Sequence, residues 1–181
     1  MEQHYNEVAQ ICLNGDLITD NFNKNQWERS EHCPKCGAST ITKCPHCQTP
    51  IKGCHRVIKT RTTSINVISH ESTYATYDEK VEKYNIPAYC QHCGEPFPWT
   101  QTAIESASKI IDEEMNELNG EEKSNFKTGL PDIIAQTLRT TLAATRIDKY
   151  LGKVKPIAKE SFKQIFYRIA AEGAKILIWG A

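Results

Sequence analysis

Three Cys-x-x-Cys pairs, which hold six of the eight cysteines, constrain this 181-residue chain more than any other feature of its sequence. The pairs are Cys33-Pro-Lys-Cys36, Cys44-Pro-His-Cys47 and Cys90-Gln-His-Cys93. Two thiolates separated by two residues can bind one ion when the backbone turns tightly between them, and a following glycine favours that turn. Thiolate-rich tetrahedral sites suit zinc, or less often iron. The pairs therefore predict structural zinc.

Six paired cysteines exceed the four ligands of one zinc ion, so either two sites exist or one pair is idle, and the sequence favours two structural ions. One predicted site combines Cys44 and Cys47 with Cys90 and Cys93, because the strand-like insert between them can form a hairpin that brings both pairs together. This is a zinc-ribbon arrangement. A crossed pairing, in which Cys33 and Cys36 join Cys90 and Cys93, remains an alternative.

The second predicted site contains Cys33 and Cys36 with Cys12, which lies in the turn-like segment Cys12-Leu13-Asn14-Gly15-Asp16. The sequence leaves its fourth ligand open among four candidates, which are Asp16, His32, His4 and Cys54. An oxygen ligand from Asp16 would make this the weaker site. Cys12 and Cys54 can also be small buried apolar side chains, and a Cys-x-x-Cys pair can cycle through a disulfide.

The cysteines, the turn signals and the strand-like stretches all precede residue 99, which predicts an α+β chain of two domains. Residues 1–99 are predicted to form a zinc-ribbon domain, whose Val-, Ile- and Thr-rich stretch between Cys54 and Pro87 favours an elongated β-hairpin. Residues 100–181 are predicted to form a helical domain of about three helices.

Apolar residues at three- and four-residue spacing define the predicted helices. Thr102 and Glu105 suggest a capping box at the start of the first helix, which would end near Asn119-Gly120. Pro131 suits the first position of the second. The third would run from Ile157 almost to the C-terminus, where its apolar stripe indicates core packing or, alternatively, a partner or membrane-surface helix.

Several motifs together resemble a bacterial family of zinc-ribbon proteins that is described only as a domain of unknown function. The motifs are Cys33-Pro-Lys-Cys36-Gly37, Cys44-Pro-His-Cys47, Pro50-Ile51-Lys52-Gly53, Cys90-Gln-His-Cys93-Gly94 and Pro98-Trp99-Thr100. Members of that family also carry helices after Pro-Trp-Thr and finish near a Trp-Gly, here Trp179-Gly180. They commonly have Cys-x-Asn-Gly-His near the start. Aspartate replaces that histidine here, so the resemblance implies Cys12 as a ligand and leaves the fourth open.

No catalytic motif accompanies the cysteines. A catalytic zinc usually keeps an open position beside a proton-transferring group, whereas four-cysteine sites are closed. His70-Glu71 lacks the spacing of a zinc-protease helix, and the sequence contains no phosphate-binding glycine loop or nucleophile elbow. We therefore expect a protein that is not an enzyme.

The chain carries 22 basic and 22 acidic residues, so attraction to nucleic acid would have to be local. Residues 35–61 contain basic but no acidic side chains, and the candidate phosphate contacts are Lys52, Arg56, Lys59 and Arg61. Charge compensation around the thiolates explains the same pattern. In the C-terminal half, residues 112–122 are acidic and residues 139–175 are mostly basic, which would allow self-association.

The leading hypothesis is a non-enzymatic protein-interaction or regulatory module, stabilised by structural zinc and located in a bacterial cytoplasm. Its partner is another protein or a second copy bound through the C-terminal helices. The alternative is a nucleic-acid-binding zinc ribbon. No apolar run reaches the roughly 20 residues of a membrane span, and no signal peptide follows Met1, which predicts a cytoplasmic location.

Overall fold

The computed structural model describes residues 2–66, 71–80, 84–135 and 137–180, and for 60–66 and 71–80 it describes the backbone alone. The chain divides into two compact units, Met1–Cys93 and Gly94–Ala181. Within the described residues, the strands lie in the first unit and the α-helices in the second. The predicted α+β class, with a β-rich region followed by helices, is confirmed.

The larger sheet has three antiparallel strands in the order β1-β5-β6. Its strands are β1 (Glu2–Val8), β5 (Lys52–Asn66) and β6 (Glu71–Lys80). The last two come from the stretch that the sequence predicts as a hairpin. Val67 and Ile68, which also belong to that stretch, lie outside the described residues.

The smaller sheet contains three short strands in the order β3-β2-β4. They are β2 (Gln10–Cys12), β3 (Leu17–Thr19) and β4 (Thr40–Ile41). All three residues of β2 are buried. Gly53 lies where the backbones of β1 and the segment after β3 approach β5, and an added Cβ would lie only 2.3 Å from the carbonyl oxygen of Asp20. A side chain at this position would force these backbones apart.

The described part of the second unit contains five helices rather than the predicted three. They are α1 (Pro98–Glu113), α2 (Gly120–Ile134), α3 (Thr140–Leu151), α4 (Pro156–Phe166) and α5 (Glu172–Trp179). The prediction of about three helices was wrong because it joined segments that the structure separates by turns.

The predicted starts of the first two helices were wrong. The first helix begins at Pro98, whose fixed φ suits a first turn, so Thr102 lies inside α1 rather than at its cap. The capping box occurs instead at Asn119 and Glu122, where each side chain accepts a hydrogen bond from the other residue's backbone N–H. Because α2 starts there, Pro131 falls inside its last turn.

The apolar stripe predicted as one C-terminal helix is divided between α4 and α5. The chain leaves helical geometry before Ala171, whose backbone N–H donates to the carbonyl oxygen of Ile133 on α2 at 2.8 Å. This tertiary hydrogen bond replaces the one that a continuous helix would make within itself. Phe162 stacks on Phe166 with ring centroids 5.2 Å apart, and both side chains are fully buried in the core of the unit.

Several large apolar side chains of the helical unit remain on its surface. The exposed residues are Leu138, Leu142, Ile157, Ile176 and Leu177. Leu138 is fully exposed in the turn before α3, and Leu142 on α3 is 54% exposed. Among the residues that the structure describes, no helix combines the length and apolar character needed to cross a membrane.

Candidate metal centres

Each Cys-x-x-Cys pair lies in a turn that we call a knuckle. Four sulfur atoms from two knuckles that are distant in sequence meet in the first unit. We call this group the four-cysteine cluster: Cys44, Cys47, Cys90 and Cys93. The Sγ atoms of Cys44 and Cys93 are 3.8 Å apart, and those of Cys47 and Cys90 are 3.6 Å apart. A disulfide would require about 2.05 Å. Sulfurs bound to one tetrahedral zinc at about 2.3 Å lie about 3.8 Å apart, so the cluster has the dimensions of a metal site.

Each knuckle positions its sulfurs through a tight turn that has the same backbone pattern. In the turn of Cys33, the backbone N–H of Gly37 donates to the carbonyl oxygen of Cys33 at 2.8 Å. In the turn of Cys44, the N–H of Gln48 donates to the carbonyl oxygen of Cys44 at 2.9 Å. The residue after the second cysteine has a positive φ in all three knuckles: Gly37, Gln48 and Gly94.

Gly37, which follows Cys36, tests whether this left-handed backbone geometry stabilises a cysteine turn. Its φ is +71°, and no atom lies within 4 Å of an added Cβ, so a substitution is strained only through the backbone. We expect Gly37→Ala to lower the free energy of unfolding of the metal-loaded protein by about 1–2 kcal/mol, measured by denaturant titration. Gly37→Asn should recover most of this loss because asparagine tolerates the left-handed region. Equal stability of all three proteins would contradict the argument.

A second group, which we call the mixed cluster, combines three thiols with a carboxylate: Cys12, Asp16, Cys33 and Cys36. The Sγ atom of Cys12 lies 3.8 Å from that of Cys36 and 3.7 Å from Oδ2 of Asp16, which is 3.8 Å from Sγ of Cys33. A tetrahedral zinc with sulfur and oxygen ligands would separate them by about 3.6 Å. The structure therefore brings Asp16, of the four open candidates, to the fourth position.

The turn between β2 and β3 holds Cys12 and Asp16 together. The N–H of Cys12 donates to the carbonyl oxygen of Asp16, and the N–H of Gly15 donates to that of Cys12, each at 2.9 Å. Gly15 has a φ of +82°, so this turn is a shortened version of the cysteine knuckles. The carboxylate of Asp16 is buried, and its Oδ1 lies 3.7 Å from Nζ of Lys35.

A shallow cleft of about 200 Å³ lies beside the mixed cluster. Its lining includes Asp16, Glu28, Cys33 and Lys35. Small-molecule sites usually exceed about 300 Å³. The cleft therefore exposes one side of the cluster without forming a pocket of the usual size for a substrate.

Polar neighbours and burial shift the pKa values of the clustered thiols in opposite directions. A hydrogen bond from the Thr49 hydroxyl, 3.3 Å from the sulfur, and one from the Thr49 N–H lower the pKa of Cys47 to about 6. Burial raises the pKa of Cys12 to about 11. The amide of Asn14 lies 3.4 Å from Sγ of Cys36 and helps to lower its pKa, after the backbone N–H of Ala38.

The sequence reasoning did not identify Thr49 and Asn14 as supporting residues. Thr49 contacts the sulfur of Cys47, two residues away, and Asn14 contacts the sulfur of Cys36 across the mixed cluster. The geometry of the turns sets both distances. A polar side chain within or next to a cysteine turn is the only signal in the sequence, and it is too common to assign a role.

Three other candidates for the fourth ligand lie elsewhere. His32 forms an isolated bridge with Ser39, and the ring of His4 lies against that of His55. Cys54 is buried in β5, where its N–H donates to the carbonyl oxygen of Asp20 at 2.9 Å. None of the three belongs to the mixed cluster.

The basic residues proposed as nucleic-acid contacts all lie on β5. Strand alternation places Arg56 and Lys59 on opposite faces, and Lys52 lies beyond an irregularity in the pairing with β1. Lys52 and Lys59 are exposed and Arg56 is half-buried, while the side chain of Arg61 lies outside the described part. Glu2 is the register partner of Lys59. The strand therefore does not present these four cations on a single face.

The fold and the two clusters define the class of this protein. Its β-rich unit carries two cysteine-based groups able to hold metal, and a helical unit follows that unit in the chain. A family model described as "Uncharacterized protein conserved in bacteria (DUF2321)" matches residues 5–178. The chain belongs to this bacterial family, and the resemblance to a family of unknown function is confirmed. No curated protein and no solved structure matches the chain.

Proposed function

We propose that this chain is a non-enzymatic zinc protein whose two clusters hold structural Zn²⁺ and whose surface binds a protein partner. The observation that carries the proposal is that each cluster offers four ligand atoms, all within 4.8 Å of one another. Four protein ligands fill the coordination sphere of a structural zinc, whereas a catalytic zinc usually keeps one position for water or substrate.

The donor atoms support zinc over other ions. Four thiolates suit zinc or iron, and three thiolates with a carboxylate suit zinc better than the oxygen-seeking magnesium and calcium. Sulfurs that remain as thiolates rather than disulfides are typical of a reducing compartment, which supports a cytoplasmic location. In this proposal both ions stabilise the folded state, because the ligands of each cluster come from separate segments of the chain.

The helical unit supplies the surface that we propose for the partner. Leu138 and Leu142 expose apolar area that the unit does not bury, and we propose that they form an apolar patch of the kind that binds another protein when polar residues surround it. Arg139 and Arg146 line the adjacent cleft, together with the acidic residue Asp132 of α2. Such a surface would bind a partner with an apolar centre and an acidic margin.

The test is capture of bacterial proteins on the immobilised zinc-loaded chain, followed by affinity measurement with each purified candidate. We expect a partner that is retained at high salt after nuclease treatment, and about a tenfold or larger loss of affinity for the double variant Leu138→Glu, Leu142→Glu. Gln164→Glu adds charge at an exposed position of α4, outside the proposed surface, and serves as the control.

Three results would contradict the proposal in different ways. Retention that disappears with nuclease and falls steeply with salt would favour the nucleic-acid alternative and the cations of β5. Equal affinity of the double variant and the control would show that the partner binds to another surface. Substrate turnover by the zinc-loaded protein would show that it is an enzyme.

A further inference from the structure

Two histidines on neighbouring strands face each other in the larger sheet, away from both clusters in sequence. His4 lies on β1 and His55 on β5, and the register pairs His4 with Val57 and Asn6 with His55, so the histidines are diagonal neighbours. Their rings stack with centroids 5.4 Å apart and an interplanar angle of 20°. Nδ1 of His4 lies 3.2 Å from Nε2 of His55.

The outer nitrogen of each ring has an acceptor beside it. Nδ1 of His55 lies 3.3 Å from Oδ1 of Asn6, and Nε2 of His4 lies 3.9 Å from a carboxylate oxygen of Glu2. An amide oxygen and a carboxylate both favour a proton on the nitrogen that faces them. In neutral imidazoles the two inner nitrogens then carry lone pairs that point at each other. A cation between the rings would stabilise such a pair, and a proton on either inner nitrogen would instead make it an N–H···N hydrogen bond.

We propose that His4 and His55 form a third metal site, which binds a borderline divalent ion such as Zn²⁺ with water in the remaining positions. Imidazole nitrogens bound to one tetrahedral ion at about 2.0–2.1 Å lie about 3.3 Å apart, which matches the observed separation. Asn6 and Glu2 fit the supporting role of acceptors that orient metal-binding histidines. The pairing of β1 with β5 holds the two ligands in place.

This site differs from the two clusters in chemistry and exposure, and it does not depend on the proposed function. His4 is exposed, and the site has two protein ligands rather than four. It therefore exchanges its ion with solvent and leaves positions open for a ligand from outside the chain. A proton is the competing cation, and Lys59, the register partner of Glu2, places another positive charge on the same face.

The experiment titrates Zn²⁺ into protein whose clusters are already loaded with zinc, near pH 7.5, and follows both heat and the imidazole resonances by NMR. We expect one additional, weaker ion per chain that shifts the resonances of His4 and His55. His4→Gln and His55→Gln should each lower the affinity for this ion by at least tenfold, and Asn6→Ala should lower it by about tenfold. His92→Gln, which removes an exposed imidazole that belongs to neither cluster, should leave the binding of this additional ion unchanged.

Two outcomes would overturn the site. One is an additional ion whose affinity is the same in His4→Gln, His55→Gln and wild type. The other is the absence of an additional ion while His4 and His55 titrate as a coupled pair, which would assign the position between the rings to a proton. Circular dichroism of each variant establishes that the sheet is folded before either outcome is interpreted.

Discussion

Cys90→Ser is expected to remove one of two zinc ions per chain and to unfold the β-rich unit while the helices persist. Cys90 is buried, and its sulfur lies 3.6 Å from that of Cys47, so the substitution removes a ligand that joins two knuckles more than 40 residues apart along the chain. Native mass spectrometry would count the ions. Hydrogen exchange would report the loss of amide protection in β5 and its retention in the helices.

The large expected effect follows from the small core of the first unit. Within its described side chains, at residues 2–59 and 84–93, the buried aliphatic residues larger than alanine are Ile11, Ile51 and Val57. Binding of a structural zinc contributes on the order of 10 kcal/mol to folding in zinc-finger peptides, whereas an ordinary core substitution costs about 1–3 kcal/mol. Loss of the ion should therefore exceed what so small a core can offset.

Cys54→Ser provides the matched control for this prediction. It removes another buried thiol of the same unit, but one that lies outside both clusters. We expect it to keep both ions and the amide protection of β5. Retention of two ions by Cys90→Ser would show that the four-cysteine cluster does not bind metal in the proposed way.

The grouping of the cysteines could be predicted because it depends mainly on local spacing. A Cys-x-x-Cys turn brings two sulfurs together wherever it occurs, and the hairpin-forming stretch between Cys47 and Cys90 suggests which turns meet. The fourth ligand of the mixed cluster could not be chosen from spacing. Asp16 joins it because the hydrogen-bonded turn after β2 returns the chain to Cys12, a detail of backbone geometry.

The helix boundaries were harder to predict, in one case because of a local cap and in another because of a tertiary contact. Asn119 was interpreted as the end of a helix, although with Glu122 it caps the start of the next one. The break before Ala171 depends on a hydrogen bond to Ile133, which is 38 positions earlier in the chain. No periodicity within residues 157–177 contains that information.

The proximity of His4 and His55 is a matter of strand register, which the sequence did not reveal. The sequence suggested His4 only as a ligand of the mixed cluster, and it attached no role to His55. A shift of one residue in the pairing of β1 with β5 would place the two rings on opposite faces of the sheet. Their separation of 3.2 Å therefore depends on a register that only the folded structure specifies.

Two substitutions at Asp16 should differ in how strongly the mixed cluster retains its metal. Asp16→Asn preserves the shape of the side chain but removes its charge, so we expect zinc to leave this cluster at least about tenfold faster when a chelator is added. Asp16→His replaces the oxygen donor with an imidazole nitrogen of similar reach, which is the residue that the family resemblance implies at this position. Because neutral nitrogen suits zinc well, this variant should release zinc more slowly than Asp16→Asn.

The four-cysteine cluster is an internal control, since its release rate should be the same in wild type and in both Asp16 variants. Lys35→Met tests the remaining effect of charge, because Nζ of Lys35 lies 3.7 Å from Oδ1 of Asp16 without being a metal ligand. Replacement of zinc by cobalt distinguishes a metal ligand from a side chain that only places a charge nearby. A ligand change at Asp16 should alter the visible spectrum of the mixed cluster, whereas Lys35→Met should leave the spectrum unchanged. If Asp16→Asn retains both the wild-type release rate and the wild-type cobalt spectrum, Asp16 is a buried neighbour of a three-thiolate site, and that site is open to a ligand from the adjacent cleft.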